Sequence, residues 1–200
     1  MMENLAIYIT DNINIASLNG SSTSSSSSIL RDALLSTIDS FVNTCKKQHE
    51  YVDVEVFRTY KHKEFMLDCI ISDTKKLVQF SNKIKTNIYW GIEHEWNPDN
   101  YDDYFTHDFI KLIHFFSKYK LAVFVTSTDN QEERIGFASQ ILNLCNSVNS
   151  INNFFLVEIN RNEIDYIPPS GWKKKYANLD INCYLYKDNN LSLIHERNIF

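Results

Sequence analysis

The order of patterns along this 200-residue chain predicts an α/β fold, with a mixed central sheet and helices on both faces. Three observations lead to this prediction. Runs at 51–57 and 65–71 have the composition of strands and follow one another without a helical segment between them. A nearly continuous apolar run at 120–126 is typical of a strand buried in a parallel sheet. Segments with helical spacing separate the later strands, as strand–helix–strand units require.

The first 28 residues are predicted to form a segment of their own. Residues 5–10 have the composition of a short strand. Serine dominates residues 20–28, and such a stretch buries little apolar area, so it is expected to be a flexible connector. The predicted organisation is an N-terminal segment with a Ser-rich linker over 1–28, followed by a single domain over 29–200.

A helix is predicted to begin at Ile29, with Ser28 as its N-cap, and to end near 47–49. Its apolar residues recur every three or four positions and share one face: Leu30, Leu34, Leu35, Ile38, Phe41 and Val42. The two strands at 51–57 and 65–71 follow. The apolar run from Asn87 to Ile92 then predicts a third strand, which ends in a Glu-His-Glu sequence.

Helices and strands alternate in the rest of the chain. A helix at about 102–117 and another at about 130–148 flank the apolar strand at 120–126, and a further strand is predicted at 153–159. The apolar face of the first of these helices consists of Phe105, Phe109, Leu112, Ile113 and Phe116. A hairpin over 181–194, turning at Asp188-Asn189-Asn190, completes the predicted domain.

Composition narrows the function classes. The formal net charge is −5, so a nucleic-acid partner would have to meet a local basic patch. No Gly-rich nucleotide-binding motif occurs. The four cysteines are widely spaced and predict free thiols in a reducing compartment. No apolar stretch approaches bilayer length and no secretory leader is visible, so a cytoplasmic protein without a membrane partner is expected.

Glu93 and Glu95 are the most informative local feature. Residues two apart on a strand face the same way, with Cα atoms roughly 6.6 Å apart. Both carboxylates would then leave one face of the third strand, while Trp90 and Ile92 point to the other. A divalent cation between the two acids would explain the pair, and a solvated strand end is the alternative. His94, on the opposite face, is expected to pack or hydrogen-bond rather than to bind metal.

Asp68 and Lys111 extend this pattern. Asp68 lies within the apolar sequence Met-Leu-Asp-Cys-Ile, where a carboxylate without a partner would be costly, unless the register leaves it at the surface. Lys111 belongs to the polar face of the helix at 102–117, and a solvated lysine is the alternative there. The hard oxygens of Asp68, Glu93 and Glu95 suit Mg²⁺ or Mn²⁺.

The order of these elements resembles the core of the PD-(D/E)XK nuclease superfamily, over about residues 30–160. The resemblance implies a restriction-endonuclease-like fold and metal-dependent hydrolysis of phosphodiester bonds. It places Asp68 and Glu93 at the acidic positions of the second and third core strands. Glu95 stands where the family usually has lysine, although some restriction enzymes of the superfamily also have glutamate there. Lys111 would then supply the positive charge from the following helix. The implied catalytic residues are Asp68, Glu93, Glu95 and Lys111, the three acids being metal ligands.

Two lysine clusters are candidates for nucleic-acid binding. Lys173, Lys174 and Lys175 lie between Trp172 and Tyr176, so they could bind phosphate while the aromatic rings stack on bases. The pair Lys61 and Lys63 precedes the strand that carries Asp68. Solvated loops are the alternative for both clusters.

The predicted function is therefore that of a metal-dependent nuclease, acting on DNA or RNA, with DNA favoured, in a restriction or phage-defence setting. A homodimer or a larger defence complex would suit cleavage of both strands of a duplex. The alternative is a catalytically inactive subunit with the same fold that serves as a protein-interaction module.

Overall fold

Within the described residues, seven strands form one mixed sheet in the order in which they occur along the chain. The computed structural model describes residues 2–15, 23–48, 53–58, 67–73, 88–95, 104–127, 130–147, 151–164 and 175–199. The strands are β1 (Val54–Arg58), β2 (Cys69–Asp73), β3 (Ile88–Glu95), β4 (Tyr119–Ser127), β5 (Phe154–Ile164), β6 (Lys175–Lys187) and β7 (Asn190–Ile199). The helices are α1 (Leu5–Asn12), which follows a short 3-10 turn, α2 (Thr23–Lys47), α3 (Tyr104–His114) and α4 (Gln131–Asn146).

Strand pairing changes from antiparallel to parallel and back to antiparallel across the sheet. β1, β2 and β3 form an antiparallel meander, β3, β4 and β5 are parallel, and β5, β6 and β7 are antiparallel again. Helices α3 and α4 connect the parallel strands, as such crossovers require. The predicted α/β class with a mixed sheet is confirmed, as is the parallel environment of the 120–126 segment.

Each face of the sheet carries its own apolar core. Alternate residues of β4 belong to different cores: Leu121 and Val123 pack with α1 and α2, whereas Ala122 and Phe124 pack with α3 and α4. Burial on both faces is the physical reason for the nearly unbroken apolar run that made this strand recognisable in the sequence.

The N-terminal region differs from its prediction. Residues 5–10 belong to helix α1 and not to a strand, because Leu5 and Ile9 are buried one helical turn apart in the same core as α2. The serine-rich sequence is helical from Thr23 onward, so α2 begins before Ile29 and Ser28 does not cap it. Residues 20–22 of the predicted linker lie outside the described residues. The Trp90 indole donates to the Met2 carbonyl at 2.7 Å, which ties the first turn to β3.

Phe116 and Asp68 lie outside the elements predicted for them, whereas the C-terminal hairpin agrees with its prediction. Phe116 was assigned to the apolar face of its helix, but α3 ends at His114 and Phe116 is 85% exposed. Asp68 was placed within a strand, whereas β2 begins at the next residue. The C-terminal hairpin forms as predicted, and Asp188 and Asn189 both have positive φ, as a type I′ turn needs.

A fully buried carboxylate links β4, β5, β6 and α4. Glu158 on β5 is 0% exposed. It accepts hydrogen bonds from Thr126 at 2.5 Å, Gln131 at 3.0 Å, Asn182 at 3.1 Å and the Tyr184 hydroxyl at 3.1 Å. Four donors satisfy the two carboxylate oxygens, which is how a charge can be buried at tolerable cost.

Replacing Glu158 with alanine should lower the free energy of unfolding by about 3 kcal/mol, because four donors lose their acceptor. Urea denaturation measures the change. The same substitution at Glu55, exposed on the edge strand β1, should stay within about 0.5 kcal/mol of the wild type. A loss below about 1 kcal/mol at Glu158 would show that the network contributes little to stability.

Candidate active site

The register of β2 against β3 brings Asp68 next to Glu93. Cys69 pairs with Ile92 in this antiparallel ladder, so the residue before Cys69 falls opposite the residue after Ile92. Directly opposed residues of antiparallel strands project from the same face with Cβ atoms roughly 5 Å apart. Gly91 aids this approach, since a Cβ there would lie 2.9 Å from Leu67 Cδ1. The Leu67 side chain therefore packs directly against the β3 backbone at Gly91.

Helix α3 adds a cation to this pair. Lys111 Nζ lies 2.7 Å from Glu93 Oε1 and 2.9 Å from Asp108 Oδ1. The Glu93 side chain is 6% exposed and that of Lys111 is 19% exposed. Glu93 Oε1 has no donor in hydrogen-bond geometry among the described residues, so its contact with Lys111 is an ion pair in distance only. Asp108 and Lys111 share a helix face because they are three residues apart.

Asp68 is held by His94. The backbone N–H of His94 donates to Asp68 Oδ2 at 2.9 Å, and His94 Nδ1 lies 2.7 Å from the same oxygen. The expectation that His94 hydrogen-bonds is confirmed.

The two neighbouring carboxyl groups have opposite pKa shifts. The pKa of Glu93 is raised to about 9, mainly by burial and also by the charge of Asp68 and a hydrogen bond with it, while Lys111 opposes the shift. For Asp68, burial acts to raise the pKa, but the hydrogen bond and charge of His94, with the Glu93 hydrogen bond, outweigh it and lower the pKa to about 2. Near neutral pH the pair therefore holds one proton, which resides on Glu93.

The lysine stays charged in this environment. Burial acts to lower the pKa of Lys111, but its close contacts with Glu93 and Asp108 outweigh burial and raise it. A cation is thus fixed beside the carboxyl pair.

A small cleft opens beside these groups. Its walls include Glu93, Glu95, Asp108, Phe109 and Phe124. Glu95 is half-buried and lines the same cleft two residues farther along β3. Within the described ranges, no three Asp, Glu, His or Cys side chains gather closely enough to hold a metal ion. The structure thus brings together Asp68, Glu93 and Lys111, with Glu95 on the same wall but outside any such cluster.

Two neighbours of the site were not assigned a role from the sequence. The first is Asp108, and its spacing of three residues from Lys111 on one helix is a sequence signal that would have identified it. The second is His94. His94 was considered and set aside as a metal ligand, and its contact with Asp68 depends on the β2–β3 register. Five lysines were predicted to bind nucleic acid. Lys61, Lys63, Lys173 and Lys174 lie outside the described residues, and Lys175 begins β6 with its side chain undescribed.

No protein-family model, curated protein or solved structure matches this chain. The function must therefore be argued from the site and not from likeness. In the described part of the chain, no helix is long and apolar enough to cross a bilayer.

Glu93 should make stability depend on pH. Its pKa is about 9 in the folded protein against 4.5 ordinarily, so the folded state binds the proton more tightly between these values. The free energy of unfolding should therefore fall as pH rises from about 6 to about 8, by at most about 1.4 kcal/mol per pH unit. Glu93→Gln, a mimic of the protonated side chain, should remove most of this dependence.

Urea denaturation at several pH values tests this expectation. Glu55→Gln, which makes the same change at an exposed position, should keep the dependence of the wild type. An equally steep fall in the Glu93→Gln protein would mean that another group is responsible.

Proposed function

We propose that this chain is a metal-dependent nuclease with a restriction-endonuclease-like core. The observation that carries the proposal is the contact of two carboxyl groups and an ammonium, those of Asp68, Glu93 and Lys111, beside one cleft at the end of β3. These are the residue types that hydrolysis of a phosphodiester requires: oxygen ligands for a cation and a positive charge for the phosphate.

The topology supports the proposal. An antiparallel meander, β1 to β3, is followed by α3 and by a strand parallel to β3, with α2 on the opposite face of the sheet. This is the arrangement that the PD-(D/E)XK resemblance implies for residues 30–160. The resemblance assigned the two acids to the second and third core strands; Asp68 lies one residue before β2 and Glu93 lies within β3.

The carboxyl pair suits Mg²⁺ or Mn²⁺. Mg²⁺ is usually held by one or two protein carboxylates, with water and substrate phosphate completing its coordination. A pair is therefore sufficient, and a cluster of three acids is not needed. Glu93 Oε1 is buried and lies 2.7 Å from the Lys111 ammonium, so a metal ion would take the place of that cation. When bound, such an ion would polarise the phosphate and acidify a water molecule.

The side chains of the chain have distinct roles in this proposal. Asp68 is ionised and oriented by His94, so it is ready to bind a cation. Glu93 must release its proton before it can do the same, because a protonated carboxyl is a poor ligand. Lys111, displaced from Glu93 by the cation, would then be free to neutralise charge on the phosphate. Glu95 lines the cleft and would orient water or complete the coordination.

The substrate in this proposal is nucleic acid, with DNA preferred and RNA as the other option. Lys61, Lys63, Lys173, Lys174 and Lys175 are proposed to contact the phosphate backbone. A homodimer or larger complex in a restriction or phage-defence setting would fit this activity.

An inactive subunit that acts as an interaction module is the second candidate. The contacts of the Lys111 ammonium favour this candidate, because Lys111 is already paired with Glu93 and Asp108 and is therefore not free to contact a phosphate.

Cleavage of plasmid DNA and of RNA with Mg²⁺ or Mn²⁺ tests the proposal. The wild type should cleave at least one of them, and chelation with EDTA should abolish the reaction. Glu93→Gln and Lys111→Met should each lower the rate by about 100-fold or more. Exposed charges provide the controls: Glu55→Gln and Lys118→Met should cleave as the wild type does. A wild type that cleaves neither substrate with either metal would favour the interaction module.

A further inference from the structure

His94 makes two contacts with one oxygen of the Asp68 carboxylate, Oδ2. Both the backbone N–H and the Nδ1 atom of His94 lie within hydrogen-bond distance of Asp68 Oδ2, at 2.9 and 2.7 Å. A carboxylate oxygen accepts about two hydrogen bonds, so Oδ2 is saturated by His94. The other oxygen, Oδ1, is the one left to face Glu93 or a cation.

The contact also fixes the histidine. An ionised carboxylate only accepts, so Nδ1 of His94 must carry the proton, and Nε2 is left as the second ring position. The ring is 10% exposed, which limits its rotation away from Asp68. His94 lies between Glu93 and Glu95 on β3, and both its backbone N–H and its ring reach Asp68 beside β2.

We propose that His94 is a positioning residue that holds Asp68 with Oδ1 presented to a divalent cation, so that Asp68 binds through one oxygen. The inference rests on the proposed metal site and assigns His94 no contact with metal or substrate. Neighbours that orient a metal ligand typically change metal affinity by about 10- to 100-fold when they are removed. Loss of the Nδ1 donor would free the carboxylate to rotate about its Cβ–Cγ bond, while the backbone N–H would remain.

Mn²⁺ alone is the probe, and its affinity is measured by calorimetric titration of the full chain without nucleic acid. Asparagine places an amide nitrogen near the position of Nδ1, whereas glutamine places one near Nε2. His94→Asn should bind Mn²⁺ within about threefold of the wild type, and His94→Gln and His94→Ala should bind about 10- to 100-fold more weakly. Thermal unfolding of each variant confirms that folded protein is titrated, and if the alanine variant does not fold, the Asn and Gln variants decide.

The outcomes separate this inference from the proposed function. If the wild type binds Mn²⁺ and all three variants bind equally well, His94 does not position Asp68. If glutamine preserves affinity and asparagine does not, Nε2 is the atom that matters, which also overturns the inference. If the wild type fails to bind Mn²⁺, or if Glu93→Gln binds it as tightly as the wild type, the metal site itself is wrong and this role of His94 falls with it.

Discussion

The pairing of Cys69 with Ile92 is the constraint on which the rest of the site depends. This register sets Asp68 opposite Glu93 and puts the His94 N–H against Asp68 Oδ2. A slip of one residue would turn every side chain of β2 to the other face and separate the two carboxyl groups. Because β3 is also the strand that leads into α3, the same register decides where Lys111 meets the carboxyl pair. The local ladder thus determines the chemistry of the cleft.

Two buried carboxyl groups on neighbouring regions of the sheet show how differently a charge can be accommodated. Glu158 receives four donors, so its ionised form is satisfied and its role is to join elements of the fold. Glu93 has a lysine at ion-pair distance, lacks an aligned donor on Oε1 within the described structure, and holds a proton beside Asp68. The neighbouring acid, Asp68, is half-buried. Under-satisfied, pKa-shifted groups that line a cleft are typical of sites that bind or react.

Sequence patterns predicted the elements whose burial is periodic. The β4 strand and the β6–β7 hairpin were found because two-sided burial and positive φ at Asp188 and Asn189 leave a direct trace in residue choice. The first helix was mistaken for a strand because eight residues of mixed apolar character fit either period, and only packing against α2 and the sheet decides between them. Asp68 and Glu93 were anticipated as acids in apolar surroundings. A hydrogen bond of His94 was expected, but its partner Asp68 was not, since that contact follows from strand register. The spacing of Asp108 and Lys111 on one helix was a signal that the prediction did not use.

A crystal structure of the protein soaked with Mn²⁺ would decide whether Asp68 and Glu93 share a metal ion. We expect one anomalous peak within coordination distance, about 2.1 Å, of an oxygen of Asp68 and an oxygen of Glu93. Lys111 should then have left Glu93 while His94 still donates to Asp68 Oδ2. A peak at another location, or a Glu93 that stays paired with Lys111 at saturating Mn²⁺, would show that the two acids do not form a metal site.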